Sequence, residues 1–181
     1  LDAIERRLKG KHGTDFYAVV EVEAEPPETR VARINVTIDE RLLTAGQPTP
    51  RALTMLASLG FEAVVYLAPA DVFDDVPEEA ALLGSQGIEF VHIPVPFDAP
   101  AEEHQQALSS ALLRLQDKRV LVHCQLNMRA STMVFLHRVI ARHEDPALAW
   151  EAVTRVWSPR GPWRQLVLTM LRHQGIAFDP Y

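Results

Sequence analysis

The only cysteine of this 181-residue sequence, Cys124, has the position best suited to chemistry. It follows the run Arg119 to His123, which is typical of a buried strand, and it precedes a segment with helical periodicity. A thiol in such a turn lies near unpaired backbone N–H groups and the positive end of the helix, and both favour the thiolate. The same N–H groups form a cradle for a tetrahedral anion. We therefore expect a nucleophilic thiolate beside an oxyanion-binding loop.

An arginine and a hydroxyl group follow this cysteine at short spacing. Arg129 offers a bidentate fork to two oxygens of a bound anion. Ser131 or Thr132, near the start of the predicted helix, would stabilise the thiolate when it leaves. Together these residue types predict phosphoryl transfer through a cysteinyl-phosphate. The competing interpretation is a buried structural thiol, the usual role of a lone cysteine.

Predicted strands alternate with predicted helices along the chain, and these elements must position the loop. Short strands are predicted over 34–38, 42–44, 61–67, 88–95 and 119–123, and helices over 50–60, 77–86, 101–116, 130–142, 146–156 and 162–174. This alternation predicts an α/β fold with a central, mainly parallel sheet flanked by helices. Ligands of such sheets bind at the carboxyl ends of the strands, where Cys124 is expected to lie.

Composition and charge limit the partners of the chain. The net charge is −6, from 18 basic and 24 acidic residues. This balance argues against a nucleic acid, because binding to phosphate backbones needs a basic face. No run of about 18 uncharged apolar residues is available to span a membrane.

A single cysteine excludes an internal disulfide, so a cytoplasmic location is expected, or a periplasmic or secreted one if a signal peptide was removed. The histidines lack metal-ligand spacing, and we expect no metal or other cofactor.

Four segments occur in an order that resembles a known family. The sequence has TAGQPT at 44–49, VHIPV at 91–95, VLVHC at 120–124 and VWSP at 156–159. A His-Cys pair, a short loop, an Arg and a Ser resemble the cysteine-dependent tyrosine and dual-specificity phosphatase superfamily. More narrowly, the chain resembles the bacterial phosphatase-like family named after its β-lactamase-hydrolase-like fusions. The resemblance implies a three-layer α/β sandwich over residues 34–181, with residues 1–33 packed on it as an N-terminal extension.

The resemblance also implies an activity and a set of site residues. The activity is hydrolysis of phosphomonoesters, on a phosphorylated protein or small molecule, with phosphotyrosine as one candidate. Cys124 is the implied nucleophile, and Asp98, in a proline-rich segment, is the implied general acid. His123 would orient the loop and Ser131 would assist the leaving thiolate. The implied phosphate-binding residues are Gln125, Leu126, Asn127, Met128 and Arg129.

The loop departs from the family pattern in two respects. Only four residues separate Cys124 from Arg129, where the family has five, which rotates the arginine by about 100° on the following helix. The loop lacks the usual glycine, and Asn127 is its nearest substitute because asparagine tolerates left-handed backbone angles. The shorter spacing is also that of rhodanese-type sulfurtransferases, which carry sulfur as a persulfide. A phosphatase, a sulfurtransferase and an inactive oxyanion-binding module therefore all stay open.

Overall fold

The structure is a computed structural model that describes residues 34–70 and 76–181. The predicted N-terminal extension, residues 1–33, lies outside the described residues, as does its packing on the domain. The described residues form five strands, β1 (Asn35–Thr37), β2 (Leu42–Ala45), β3 (Ala63–Tyr66), β4 (Glu89–His92) and β5 (Val120–His123). They also form six helices, α1 (Pro50–Met55), α2 (Val76–Ser85), α3 (Glu102–Arg114), α4 (Met128–Ile140), α5 (Pro146–Thr154) and α6 (Pro162–His173).

The strands form one mixed sheet in the order β1-β2-β5-β3-β4. β5 lies at the centre and pairs in parallel with β2 and β3, and β4 pairs in parallel with β3. Only β1, at the edge of the described sheet, is antiparallel to its neighbour. The predicted fold class is confirmed. Because β5 is central, Cys124 follows the middle of the sheet at its carboxyl edge.

Helices cover both faces of the sheet and form the predicted three layers. Side chains of β5 alternate between two apolar clusters, with Val120 and Val122 in one and Leu121 in the other. The larger cluster contains most of α4, in which ten of the 13 residues are buried. The smaller cluster contains Leu53 of α1 and Leu83 of α2. The helix that follows the nucleophile loop is therefore held firmly in the core.

The start of α1 follows its local sequence signal, whereas its end does not. Thr49 caps α1 by accepting a hydrogen bond from the Ala52 N–H at 3.1 Å. The predicted helix was expected to reach Gly60, but α1 ends at Met55 and the chain continues as turns. In these turns the Gly60 N–H donates to the carbonyl of Ala57, three residues back, instead of continuing the α-helical pattern. No helix of the described residues has both the length and the apolar character needed to cross a membrane.

His137 of α4 is buried in the core, and its charge is expected to control stability in acid. Its Nδ1 lies 2.8 Å from the Ser109 hydroxyl. Burial is the main reason why the pKa of His137 falls from 6.5 to about 4. The unfolded chain binds this proton more readily, so the stabilisation is complete above pH 6.5 and is lost as pH falls towards 4. The loss amounts to about 3 kcal/mol at most.

Urea unfolding at pH 7.5 and pH 4.5 tests this expectation. The free energy of unfolding of His137→Gln should fall less between the two pH values than that of the unsubstituted chain. His143→Asn is the control, because His143 is exposed and its left-handed backbone, with φ 55°, suits asparagine. An equal acid sensitivity in the His137→Gln chain would contradict the assignment.

Candidate active site

Cys124 lies at the carboxyl end of the central strand with its side chain buried. Its exposed fraction is 1%, and it packs in the larger apolar cluster. Its backbone N–H donates to the Ala45 carbonyl at 3.2 Å, which continues the pairing of β5 with β2. The residue is therefore fixed in the backbone of the sheet, directly before the predicted anion-binding loop.

The loop turns into α4 through a left-handed residue. Asn127 has φ 64°, the conformation that a glycine would otherwise supply. Its side-chain Nδ2 donates to the Thr44 hydroxyl at 3.1 Å and to the Ile34 carbonyl at 3.4 Å. These bonds connect the turn to β2 and to the segment before β1. As a result α4 begins at Met128, two residues before the predicted start, and the loop is shortened to three residues.

Most N–H groups of this loop have no acceptor in the described part of the chain. Those of Gln125, Leu126, Met128 and Arg129 donate to no backbone carbonyl or side chain within residues 34–70 and 76–181, whereas that of Asn127 faces the Ala45 carbonyl in the antiparallel bridge between Gly46 and Leu126. The last of them belong to the first turn of α4, where the helix dipole is positive. A tetrahedral anion beside the Cys124 thiol would satisfy several of these donors at once.

Arg129 is buried and joins the loop to the segment that carries Asp98. Its Nε donates to the Val95 carbonyl at 2.8 Å, and its Nη1 lies 3.4 Å from the Gln125 side-chain oxygen. Its guanidinium carbon lies 5.1 Å from the centre of the Phe97 ring. The side chain thus extends towards the Val95–Asp98 segment, and its Nη2 has no acceptor among the described residues. The spacing between Cys124 and Arg129 alone does not determine this direction.

Asp98 is exposed on a loop that aromatic residues hold in place. The Trp163 indole N–H donates to the Phe97 carbonyl at 2.8 Å. The Phe97 ring lies 5.8 Å from the ring of Trp157 and 5.7 Å from that of Trp163. These contacts fix the residue next to Asp98, on the same side of the molecule as Arg129. The carboxylate of Glu102, the first residue of α3, pairs with His173 at 2.9 Å.

The two candidate hydroxyl groups lie in the first turn of α4. The Ser131 hydroxyl donates to the Met128 carbonyl at 3.2 Å, and the Thr132 hydroxyl donates to the same carbonyl at 3.0 Å. Thr132 also accepts a hydrogen bond from the Trp157 indole N–H at 3.1 Å. Ser131 therefore has the less constrained hydroxyl, and its predicted role towards the thiolate stays a prediction.

A buried polar cluster that sequence analysis missed lies behind the nucleophile. His123 Nε2 is 2.6 Å from a carboxylate oxygen of Glu79, and Gln47 donates to the other oxygen at 3.2 Å. Burial raises the pKa of the Glu79 carboxyl group, but the attraction of His123 and these hydrogen bonds outweigh it, so the pKa lies below its ordinary value. One signal was available, because Glu79 lies four residues before the buried Leu83 on one helix face. Neither this cluster nor any other His, Cys, Asp or Glu group in the described ranges is arranged to hold a metal ion.

Gly46 packs directly against the nucleophile loop, which predicts an effect of adding one methyl group. A Cβ at position 46 would lie 2.8 Å from the Gln125 carbonyl oxygen, whereas a Cβ at Gly84 would have no atom within 4 Å. Gly46→Ala should therefore displace the loop, with a loss of about 1–3 kcal/mol in stability. The turnover number kcat should fall by about tenfold or more.

Gly84→Ala, in the last turn of α2, is the matched control for this change. It should leave kcat unchanged and add at most about 0.5 kcal/mol of stability. Urea denaturation and the release of p-nitrophenol from p-nitrophenyl phosphate measure the two quantities. A Gly46→Ala chain with full activity would mean that the loop tolerates the displacement.

Comparisons with known proteins agree with this geometry. Residues 14–162 match the family model described as a DSP-PTPase phosphatase fused to NAD+ kinase. A putative phosphatase (DUF442) from Shewanella putrefaciens CN-32 is similar in structure, with a TM-score of 0.70 and 26% sequence identity over 77% of this chain and 92% of that chain. Tk-PTP in its active form is similar with a TM-score of 0.61 and 25% identity, over 78% of this chain and 96% of that chain. The catalytic core of the PP-IP phosphatase SIW14 from S. cerevisiae shares the fold, with a TM-score of 0.61 and 12% identity over 81% and 96% of the two chains. No curated protein matches the chain significantly.

Proposed function

Because the chain belongs to the family of dual-specificity phosphatases that this model describes, within the cysteine-dependent phosphatase superfamily, we propose that it hydrolyses phosphomonoesters through a phosphoryl group carried by Cys124. The observation that carries the proposal is the set of loop N–H groups of Gln125, Leu126, Met128 and Arg129, which have no acceptor in the described part of the chain. These donors follow the only thiol of the chain directly. Donors fixed in this way stabilise charge as it develops on a transferring phosphoryl group.

The proposed reaction has two steps that share the same groups. In the first, the Cys124 sulfur bonds to phosphorus while the ester P–O bond breaks, and the leaving oxygen takes the Asp98 proton. In the second, water attacks phosphorus and gives a proton to the Asp98 carboxylate, while the P–S bond breaks and phosphate leaves. Arg129 and the loop N–H groups stabilise the equatorial oxygens in both steps. The Ser131 hydroxyl supports the departing thiolate by turning its one proton from the Met128 carbonyl to the sulfur.

Acid quenching during turnover tests the proposal. With ³²P-labelled aryl phosphate, we expect steady release of phosphate and a labelled protein whose label maps to Cys124. Two other outcomes would replace the proposal. Sulfur transfer from thiosulfate to cyanide without phosphate release would indicate a sulfurtransferase. Thermal stabilisation by phosphate with no hydrolysis of any aryl phosphate would indicate an oxyanion-binding module.

Phe97 supports an aryl phosphate as the substrate class. Its side chain is 41% exposed, although its ring packs against two tryptophans and the Arg129 guanidinium. A partly exposed aromatic side chain beside the phosphate-binding residues offers a contact surface for the ring of an aryl ester. Phosphotyrosine is the protein-borne ester with this chemistry, and we propose it as a substrate.

The general-acid role of Asp98 predicts a dependence on the leaving group. Asp98→Asn should lower kcat/KM, which reports the first step, by about 10²–10³-fold with an alkyl phosphate, whose leaving oxygen needs a proton. The decrease with p-nitrophenyl phosphate should be much smaller, because p-nitrophenolate leaves without one. Glu103→Gln, an exposed change in the first turn of α3, is the control. Equal effects on the two substrates would remove Asp98 from the reaction.

A further inference from the structure

Glu79 takes no part in the reaction proposed above, yet its carboxylate is bound from two sides. Oε1 lies 2.6 Å from His123 Nε2, and Oε2 accepts a hydrogen bond from Gln47 Nε2 at 3.2 Å. The exposed fraction of the Glu79 side chain is 6% and that of His123 is 0%. A carboxylate with so little access to water needs both partners, because burying it unpaired is strongly unfavourable.

The two partners of Glu79 lie on opposite flanks of the nucleophile. His123 directly precedes Cys124 in the chain. Gln47 binds the residue that directly follows it, because the Gln47 backbone N–H donates to the Gln125 carbonyl at 2.9 Å. One side chain on α2 therefore connects the end of β5 to the segment after β2, with the nucleophile between them.

The cluster also restricts the His123 ring. The Tyr66 ring stacks on it, with centroids 4.6 Å apart and an angle of 28° between the planes. Stacking fixes the plane of the imidazole, and the bond to Glu79 fixes its rotation within that plane. Tyr66 ends β3, so three neighbouring strand ends, those of β2, β5 and β3, contribute to one buried network.

We propose that Glu79 is a positioning residue for Cys124, holding both flanks of the nucleophile loop through His123 and Gln47. The inference rests on the proposed function for its catalytic consequence only, since the arrangement of the loop can also be tested by oxyanion binding, which does not require turnover. A loop held at both ends keeps the sulfur and the N–H donors in one arrangement, and a displacement of about 1 Å at a reacting group is enough to lower a rate by 10²-fold.

Three substitutions at Glu79 and its neighbour test the proposal. Glu79→Ala removes both bonds and should lower kcat by about 10²-fold and weaken inhibition by vanadate about tenfold. Glu79→Gln should stay within about threefold of the unsubstituted chain. Its amide oxygen still accepts from His123, and its NH₂ can donate to the Gln47 Oε1, which has no partner in the described residues, once the Gln47 amide turns over to exchange its oxygen and nitrogen. Glu78→Ala, one residue earlier and exposed on α2, is the control and should change neither quantity.

Two further measurements keep the result independent of folding and of hydrolysis. Gln47→Ala breaks one of the two bonds at a half-buried position and should lower kcat about tenfold even if Glu79→Ala does not fold. The rate at which iodoacetamide alkylates Cys124, and its protection by vanadate, report on the loop without turnover. One outcome is that the unsubstituted chain hydrolyses no phosphate ester while the Glu79→Ala variant loses the protection of Cys124 by vanadate. In that case the proposed function fails and the positioning role stands. The positioning role would be overturned if the Glu79→Ala and Gln47→Ala variants both fold and both keep an unchanged kcat and an unchanged protection of Cys124 by vanadate.

Discussion

Replacement of Cys124 by serine is expected to abolish phosphate release, with kcat lower by about 10⁴-fold or more. A serine hydroxyl in this loop has no general base within its bonded network, because His123 is directed to Glu79 and not to the loop. The thiolate is both a stronger nucleophile and a better leaving group in the second step. The loss should therefore exceed that of any other single substitution.

The same variant should keep its fold and its affinity for oxyanions. Serine is close in size to cysteine, and the loop N–H groups that are proposed to bind phosphate belong to the backbone. Vanadate cannot bond covalently to the serine as it does to a thiolate, so tungstate is the better probe of this binding. Thermal denaturation with and without tungstate, together with p-nitrophenyl phosphate hydrolysis, measures both properties. Residual turnover above about one part in 10³ would place the nucleophile elsewhere.

The position of Cys124 could be predicted because a central parallel strand is buried on both faces and has a continuous apolar sequence. All four residues of β5 are buried, which is the pattern that the segment before Cys124 indicates. The end of α1 could not be predicted in the same way. Leu56 and Leu59 continue the apolar spacing of the helix, but both pack in the smaller cluster from turns. There the Leu59 N–H is shared between the carbonyls of the fourth and the third preceding residues, and the Gly60 N–H donates to the third preceding residue alone.

The partners of the site could not be predicted because they come from distant parts of the chain. Glu79 reaches His123 across 44 residues, and Trp163 reaches the Phe97 carbonyl across 66 residues. The sequence spacing predicts by how much Arg129 is rotated around the axis of its helix. It does not predict which neighbouring loop its side chain contacts. Its contacts are with the Val95 carbonyl and the Phe97 ring, which belong to another loop. Local patterns identify which residues can react, whereas tertiary contacts decide how they are held.

Arg129 has two tasks in this structure that a lysine cannot perform together. Its Nε donates to the Val95 carbonyl at 2.8 Å and so holds the loop that carries Asp98. Its remaining N–H groups are the ones proposed to bind phosphate oxygens. A guanidinium carries five N–H donors in a rigid planar fork, whereas an ammonium group is a single point charge on a flexible stem. Lysine at this position retains the charge and loses either the loop contact or the phosphate contact.

Arg129→Lys is therefore expected to lower kcat/KM by about 10²–10³-fold, close to the effect of removing one donor to a transition-state oxyanion. Inhibition by vanadate should weaken in parallel, because vanadate resembles the transferring phosphoryl group. Arg138→Lys is the matched control on the same helix, since Arg138 pairs with Glu144 and donates to the Ala149 carbonyl, away from the loop. That variant should change stability and leave kcat/KM unaltered. If Arg129→Lys instead keeps more than half of the activity, the arginine only holds the Asp98 loop, and the N–H groups of residues 125–129 bind the phosphate without it.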